Sequence, residues 1–264
     1  MRMNMRKVII LAVGILVLGA GLNIFFSIRD SVVDAEDEII ITENFENIEI
    51  LVENASVNIY PTSDSTTTVK FEGKMKSKSK YKFTADVRKD TLQVELTDRK
   101  WINIGIDFTP FSNKLNVYVP DKTYKKILAE SENGALSVED LEAEEIHFQT
   151  DNGRIYLKEV ESNVYANTQN GRIHLDHVDG DMEAMTNNGR IELHTESLNH
   201  DINLKTDNGR ILIETEEEPT NATIEADTDN GKISVYGHSN KHTVFGKGKS
   251  KVTIETDNGS ITVK

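Results

Sequence analysis

From residue 131 onward, apolar and polar positions alternate in short runs, and one recurring phrase separates the runs. Before the phrase the apolar pairs are Ile146/Phe148, Val164/Ala166, Met182/Ala184, Ile202/Leu204, Ile224/Ala226 and Val252/Ile254; after it come Ile155/Leu157, Ile173/Leu175 and Ile191/Leu193. Period two is the mark of a strand with one face buried and one in water. The phrase is clearest at Thr150–Leu157 (TDNGRIYL) and returns at Ser131–Val138, Thr168–Leu175, Thr186–Leu193, Thr206–Ile213, Thr228–Val235 and Thr256–Val263. Each copy carries an Asn-Gly pair: Asn133-Gly134, Asn152-Gly153, Asn170-Gly171, Asn188-Gly189, Asn208-Gly209, Asn230-Gly231 and Asn258-Gly259. The steps between them are 19, 18, 18, 20, 22 and 28 residues, a period that points to stacked repeats.

Asn-Gly suits a sharp corner, because glycine reaches positive φ at little cost. Positive φ is therefore expected at the corners, Gly189 included. The same dipeptide is the strongest short hairpin signal, so an antiparallel meander competes with a parallel coil. A third apolar position decides between them. Leu141, Val160, Val178 and Leu198 follow the second strand of each unit and precede the next, giving three apolar edges per turn. The expected fold is all-β, a parallel β-helix-like solenoid whose asparagines stand in one column and hydrogen-bond along it. Seven coils at about 4.8 Å each would make a rod roughly 30 Å long.

Upstream, Ile48–Tyr60 reads as a worn copy of the repeat, with Glu53-Asn54-Ala55-Ser56-Val57 in the place of Asp-Asn-Gly-Arg-Ile. Strand-like runs follow at Thr66–Glu72, Tyr81–Val87, Thr91–Thr97 and Lys114–Val119, with turns at 76–80 and 88–90. Residues 43–120 are thus expected to form an N-terminal β cap with a first coil, and 121–264 the solenoid. At the far end the final strand, Ile261–Val263, is expected to leave an open coil guarded by Lys247, Lys249, Lys251 and Lys264. The long return loop Tyr236–Ser250 should be more dispensable than the corners.

The start of the chain changes the picture. Residues 1–7 carry Arg2, Arg6 and Lys7, and Val8–Ile28 follows as 21 residues without a charge. As a helix this run would be about 31 Å long, enough for a bilayer core. Bases before it and acids after it place 1–7 in the cytoplasm, 8–28 in the membrane as an anchor and 29–42 outside as a polar stem. A signal peptide cleaved near Ala35 is the alternative. The expected location is the cell membrane, single-pass, with the C-terminal domain extracellular. Beyond residue 28 there are 44 acids against 27 bases, three of the chain's 30 bases lying earlier, a balance of −17. Such a surface is a poor binder of nucleic acid. Cysteine is absent, which excludes disulfides and thiolate metal sites.

The membrane segment, the strand-rich region after it and the Asn-Gly repeats, opened by Val119–Val138 (VPDKTYKKILAESENGALSV), together resemble a bacterial family of unknown function whose members are termed putative adhesins, LiaG-like and YvlB-like proteins among them. The resemblance implies a membrane-tethered extracytoplasmic β-repeat protein beside a cell-envelope stress-sensing system. It supplies no catalytic motif.

Chemistry is sparse. Arg154, Arg172, Arg190, Arg210 and Lys232 follow the corner glycines at one repeat position in five consecutive copies. They could form a ribbon for phosphate or carboxylate groups, or pair with acids such as Asp151, Asp207, Asp229, Glu192 or Glu214. Arg172 is the exception, with Asp176 the nearest acid in sequence. A regular calcium ladder is not expected, because Gln169 and Asn187 replace aspartate in two copies. The histidines, His174/His177 and His238/His242 included, read as solvent-exposed. No catalytic residue, cofactor or metal site is expected. The expectation is a non-enzymatic scaffold or interaction module in envelope stress or surface adhesion, meeting envelope or membrane proteins or anionic wall components. A carbohydrate-active β-helix enzyme acting on wall glycans is the alternative.

Overall fold

The computed structural model describes residues 32–76, 80–99 and 113–264; the membrane segment and the tip of the 76–80 turn lie outside them. Among the described residues there are strands and turns and no helix, so none is long and apolar enough to cross a membrane. The repeats pair in parallel and in register. Ile146 faces Val164, then Met182, Ile202, Val252 and Ile224 along one sheet. Ile155, Ile173, Ile191, Ile211, Ile261 and Ile233 make the equivalent row of the other. These rows are buried in one continuous core, against which Ile233 at the end is partly buried. The parallel register excludes the meander.

Each coil has two sheet faces rather than three edges. Strand Ile155–Thr168 runs unbroken from one face to the next, and Leu141, Val160, Val178 and Leu198 fill the bend between faces, all nearly inaccessible to water. The left-handed residues sit at this bend. Asp140, Glu159 and His177 have φ of 56°, 50° and 51°, each immediately before a buried apolar residue. The Asn-Gly glycines, Gly189 among them, do not have positive φ. Their need for glycine is close approach: a Cβ on Gly189 would lie 1.6 Å from the Gly171 carbonyl oxygen, and the other six corners are as tight against the coil beneath. Backbone cannot retreat as a side chain can.

Three features depart from the expected order. Residues 32–41, expected as stem, form the strand Val32–Ile41, antiparallel to Thr67–Lys76. Residues 43–120 are no separate cap. Strands Thr91–Arg99 and Lys114–Pro120 make the first coil, and Asn47–Val52 with Ser56–Thr62 make the second, wedged between that coil and the Asn133 coil. Lys80–Arg88 then edges the first coil antiparallel, and Phe71 packs on Tyr81 and Phe83 to close that end.

The far end shows the same inversion. Strands Ser250–Asn258 and Ile261–Val263 pair with the Asn208 coil on one side and the Asn230 coil on the other. The last coil in sequence is therefore internal, and the stack runs from the coil of Thr91–Arg99 and Lys114–Pro120 through Asn54, Asn133, Asn152, Asn170, Asn188, Asn208 and Asn258 to Asn230. Residues 236–249, expected to be dispensable, close the true end. Strand His242–Val244 lies antiparallel on Ala222–Asn230, and Val235 and His238 exchange both backbone hydrogen bonds across a tight turn. Those contacts satisfy edge groups of the Asn230 coil, whereas Ile261–Val263, the edge that lysines were expected to guard, is paired on both sides.

Candidate functional site

The asparagines form one unbroken ladder. The Nδ2 of Asn133 donates to Asn54 Oδ1 at 2.9 Å, and Asn152, Asn170, Asn188, Asn208, Asn258 and Asn230 each donate to the coil before at 2.9 to 3.1 Å. Beneath them, the hydroxyls of Thr150, Thr168, Thr186, Thr206, Thr256 and Thr228 donate to the glycine carbonyl of the preceding coil. This corner is a structural seam, because the groups that a ligand would use are bonded to the next coil.

The bases beside it are ordered by the same stacking. Arg154, Arg172, Arg190 and Arg210 occupy four successive coils, their carbonyls accepting from Leu136, Ile155, Ile173 and Ile191. Ser260 takes the next place, because Ile211 donates to its carbonyl, and Lys232 comes one coil later. The expected five-base column is thus four arginines, an interruption and a lysine. Insertion of the last coil broke it, which the repeat spacing could not reveal.

Glu192 anchors this rib. Its side chain is 14% exposed, and its carboxylate lies 3.1 Å from Arg190, 3.8 Å from Arg210 and 3.9 Å from Arg172. Burial pushes the Glu192 carboxyl up, but the Arg190 hydrogen bond and the charges of Arg172, Arg190 and His174 outweigh it and leave it below its ordinary value. Arg172, expected to lack an acid close by, finds one in the adjacent coil. Of the other acids expected to pair, Glu214 holds Lys264 and His194, while Asp151 receives Gln169.

Three histidines gather on this face rather than lying scattered, and His177 is exposed as expected. His174 is half-buried, stacked on Tyr156 at 5.3 Å and edge-on to His194. His194 lies 2.6 Å from Glu214. His177 bridges Asp176 at 2.9 Å and Glu216 at 3.1 Å, and these hydrogen bonds, Glu216 first, raise its pKa. The signal was in the register: His174 stands opposite both Tyr156 and Glu192. Among the described residues no group of His, Asp and Glu could hold a metal ion.

The opposite face carries a shallow groove of about 500 Å³ that crosses successive coils. His147 and Tyr165 pack ring to ring along it, with Glu145, Asp181, Glu183 and Asp201 around them and buried Val164, Met182 and Ile202 as its floor. A second ladder lines it: Asn163 Oδ1 accepts from the backbone N of Asp181, Asp181 from Asp201, and Asp201 from Lys251. No sequence motif marked this groove, because its members are spread over successive coils.

A family model described as Toastrack DUF4097 matches this chain twice, over residues 45–165 and 161–264. The chain belongs to that family. Its all-β stacked architecture is the toastrack fold, and the two matches together cover the whole repeat region. Solved structures resembling it include a putative cell adhesion protein from Clostridium sporogenes, 15% identical over 88% of this chain and 99% of that one, with a TM-score of 0.41. A putative adhesin from Bacteroides fragilis is 12% identical, over 89% and 98% of the two chains, with a TM-score of 0.44. Likenesses this loose carry no further argument. No curated protein matches.

Proposed function

We propose that this toastrack protein is a non-enzymatic interaction module, tethered to the outer face of the cytoplasmic membrane by residues 8–28 and serving envelope stress sensing or surface contact. The observation that carries this reading is how its polar side chains are used. The asparagine corner, the Glu192 rib and the Asn163–Asp181–Asp201 ladder all serve coil-to-coil contact, leaving ribbed faces suited to docking an extended partner.

The groove favours a second reading, a wall-glycan enzyme, because carboxylates lie together in it. Against catalysis stands the equivalence of Asn163, Asp181 and Asp201: the same position accepts the same backbone N–H with or without a charge. A hydrolytic pair would need two carboxyl groups set at a bond to be broken.

Crosslinking in native membranes followed by capture tests both readings. Wild-type chain, an Arg172→Gln/Arg190→Gln pair and a Tyr165→Ala/Glu183→Gln pair are compared. Loss of a captured envelope component in one pair, with the melt unchanged, assigns the docking face. Equal capture in all three ends the docking proposal, and new reducing ends from purified wall glycan would establish the enzyme instead. Protease added to intact protoplasts should degrade the repeats; full repeats released into the medium, cut near Ala35, would overturn the tether.

A further inference from the structure

The asparagine ladder has two unlike ends. Every Asn-Gly asparagine from Asn133 to Asn258 both donates through Nδ2 and accepts through Oδ1. Asn230 is the last rung in space. It donates to Asn258 at 3.1 Å, but among the described residues no coil stacks beyond it to donate in return. The closing strand reaches only as far as Ala226, whose N–H goes to Lys241, and stops short of the corner. Gly231 is correspondingly exposed, whereas the other six corner glycines are buried or half-buried. At the opposite end Asn54 precedes Ala55, not glycine.

We infer that Asn230-Gly231 is a site of spontaneous covalent modification, and that the ladder shields the six other Asn-Gly pairs from the same chemistry. A base removes the proton of the Gly231 backbone nitrogen, and that nitrogen attacks Asn230 Cγ. The new C–N bond closes a five-membered succinimide as the Cγ–Nδ2 bond breaks and ammonia leaves with the proton. Water then opens the ring at either carbonyl, giving aspartate or isoaspartate at position 230. Glycine is the least hindered neighbour for the attack, because it has no Cβ.

An interior asparagine must release two side-chain bonds to swing onto the next nitrogen, while Asn230 releases one. The nitrogens of Gly189, Gly209 and Gly259 are also committed to the carbonyls of Asn208, Asn258 and Asn230; among the described residues Gly231 has no further coil to bond. The product carboxylate has lost the Nδ2 donor to Asn258, so the last rung is released.

Purified full-length chain is held at mildly alkaline pH, native in one sample and unfolded in urea in another, and all seven Asn-Gly peptides are followed by mass spectrometry. One ladder bond fewer, about 1 kcal/mol, corresponds to about fivefold in rate. Native chain should therefore convert Asn230 at least fivefold faster than Asn170 or Asn188, and urea should bring the seven together. Interior sites keeping pace with Asn230 in the native chain would overturn the inference. So would the same ranking, by the same factor, in urea, since neighbouring sequence and not the ladder would then be the cause.

Discussion

The two corners of each coil reach similar turns by opposite means. At the Asn-Gly corner the backbone is unstrained, yet nothing larger than glycine fits, because successive corners touch through carbonyl oxygens. At the other bend the backbone is left-handed at Asp140, Glu159 and His177, yet ordinary exposed side chains stand there. One corner is limited by its neighbour in the stack and the other by its own dihedral angle. Insertions follow this difference. The long segments Glu214–Thr220 and Tyr236–Ser250 both fall on the bend side, away from the asparagine ladder.

Substituting across the two corners should separate them most sharply. Gly189→Val places branched carbons against the Gly171 carbonyl and should cost about 3 kcal/mol or more in urea melts. Glu159→Gly relaxes a positive φ and should be neutral or stabilising by no more than about 1 kcal/mol. Equal losses in the two variants would break the contrast. A smaller effect is expected within the ladder. Asn188→Ala removes one donor and one acceptor and should cost about 1–3 kcal/mol by the same melts, through the groups left unpaired on Asn170 and Asn208.

The smallest effect is pH-dependent and belongs to the bend. His177 gains Glu216 and Asp176, so its pKa is raised on folding. The stabilisation is complete below the ordinary histidine value near 6.5 and is lost as pH rises through the raised one. His177→Asn keeps a residue tolerant of positive φ. It should lower the melting point at pH 6 and leave it unchanged at pH 9, by under about 1 kcal/mol as for exposed pairs. Glu192 runs oppositely: its lowered pKa gives stability above its ordinary value that is lost as pH falls through the folded one.

Much of this was legible locally. The alternation named the buried residues of both faces, and the repeat spacing placed the asparagines in one column. Glu192 was among the acids suited to the arginines, while Glu214, expected beside it, holds Lys264 and His194 instead. Positive φ was assigned to the wrong corner, because a glycine's conformational freedom and its small size leave the same trace in a sequence. The histidine group and the groove were not legible as sites, since each draws its residues from separate coils and becomes a cluster only after stacking.

What the sequence determined by itself was the coil: its period, its buried rows and the residues that let one turn lie on another. What only the tertiary structure decided was the order of the coils. Strands such as Thr206–Asn208, Thr228–Asn230 and Thr256–Asn258 present the same threonine and asparagine in the same register, so local chemistry cannot choose among them as neighbours. The choice falls to the edges. Placing Ser250–Val263 inside the stack leaves the Asn230 coil at the end, where residues 236–249 can bond its open edge, and Val32–Ile41 closes an edge at the other end in the same way. Unpaired backbone is costly wherever it is shielded from water, and its satisfaction is a property of the whole stack.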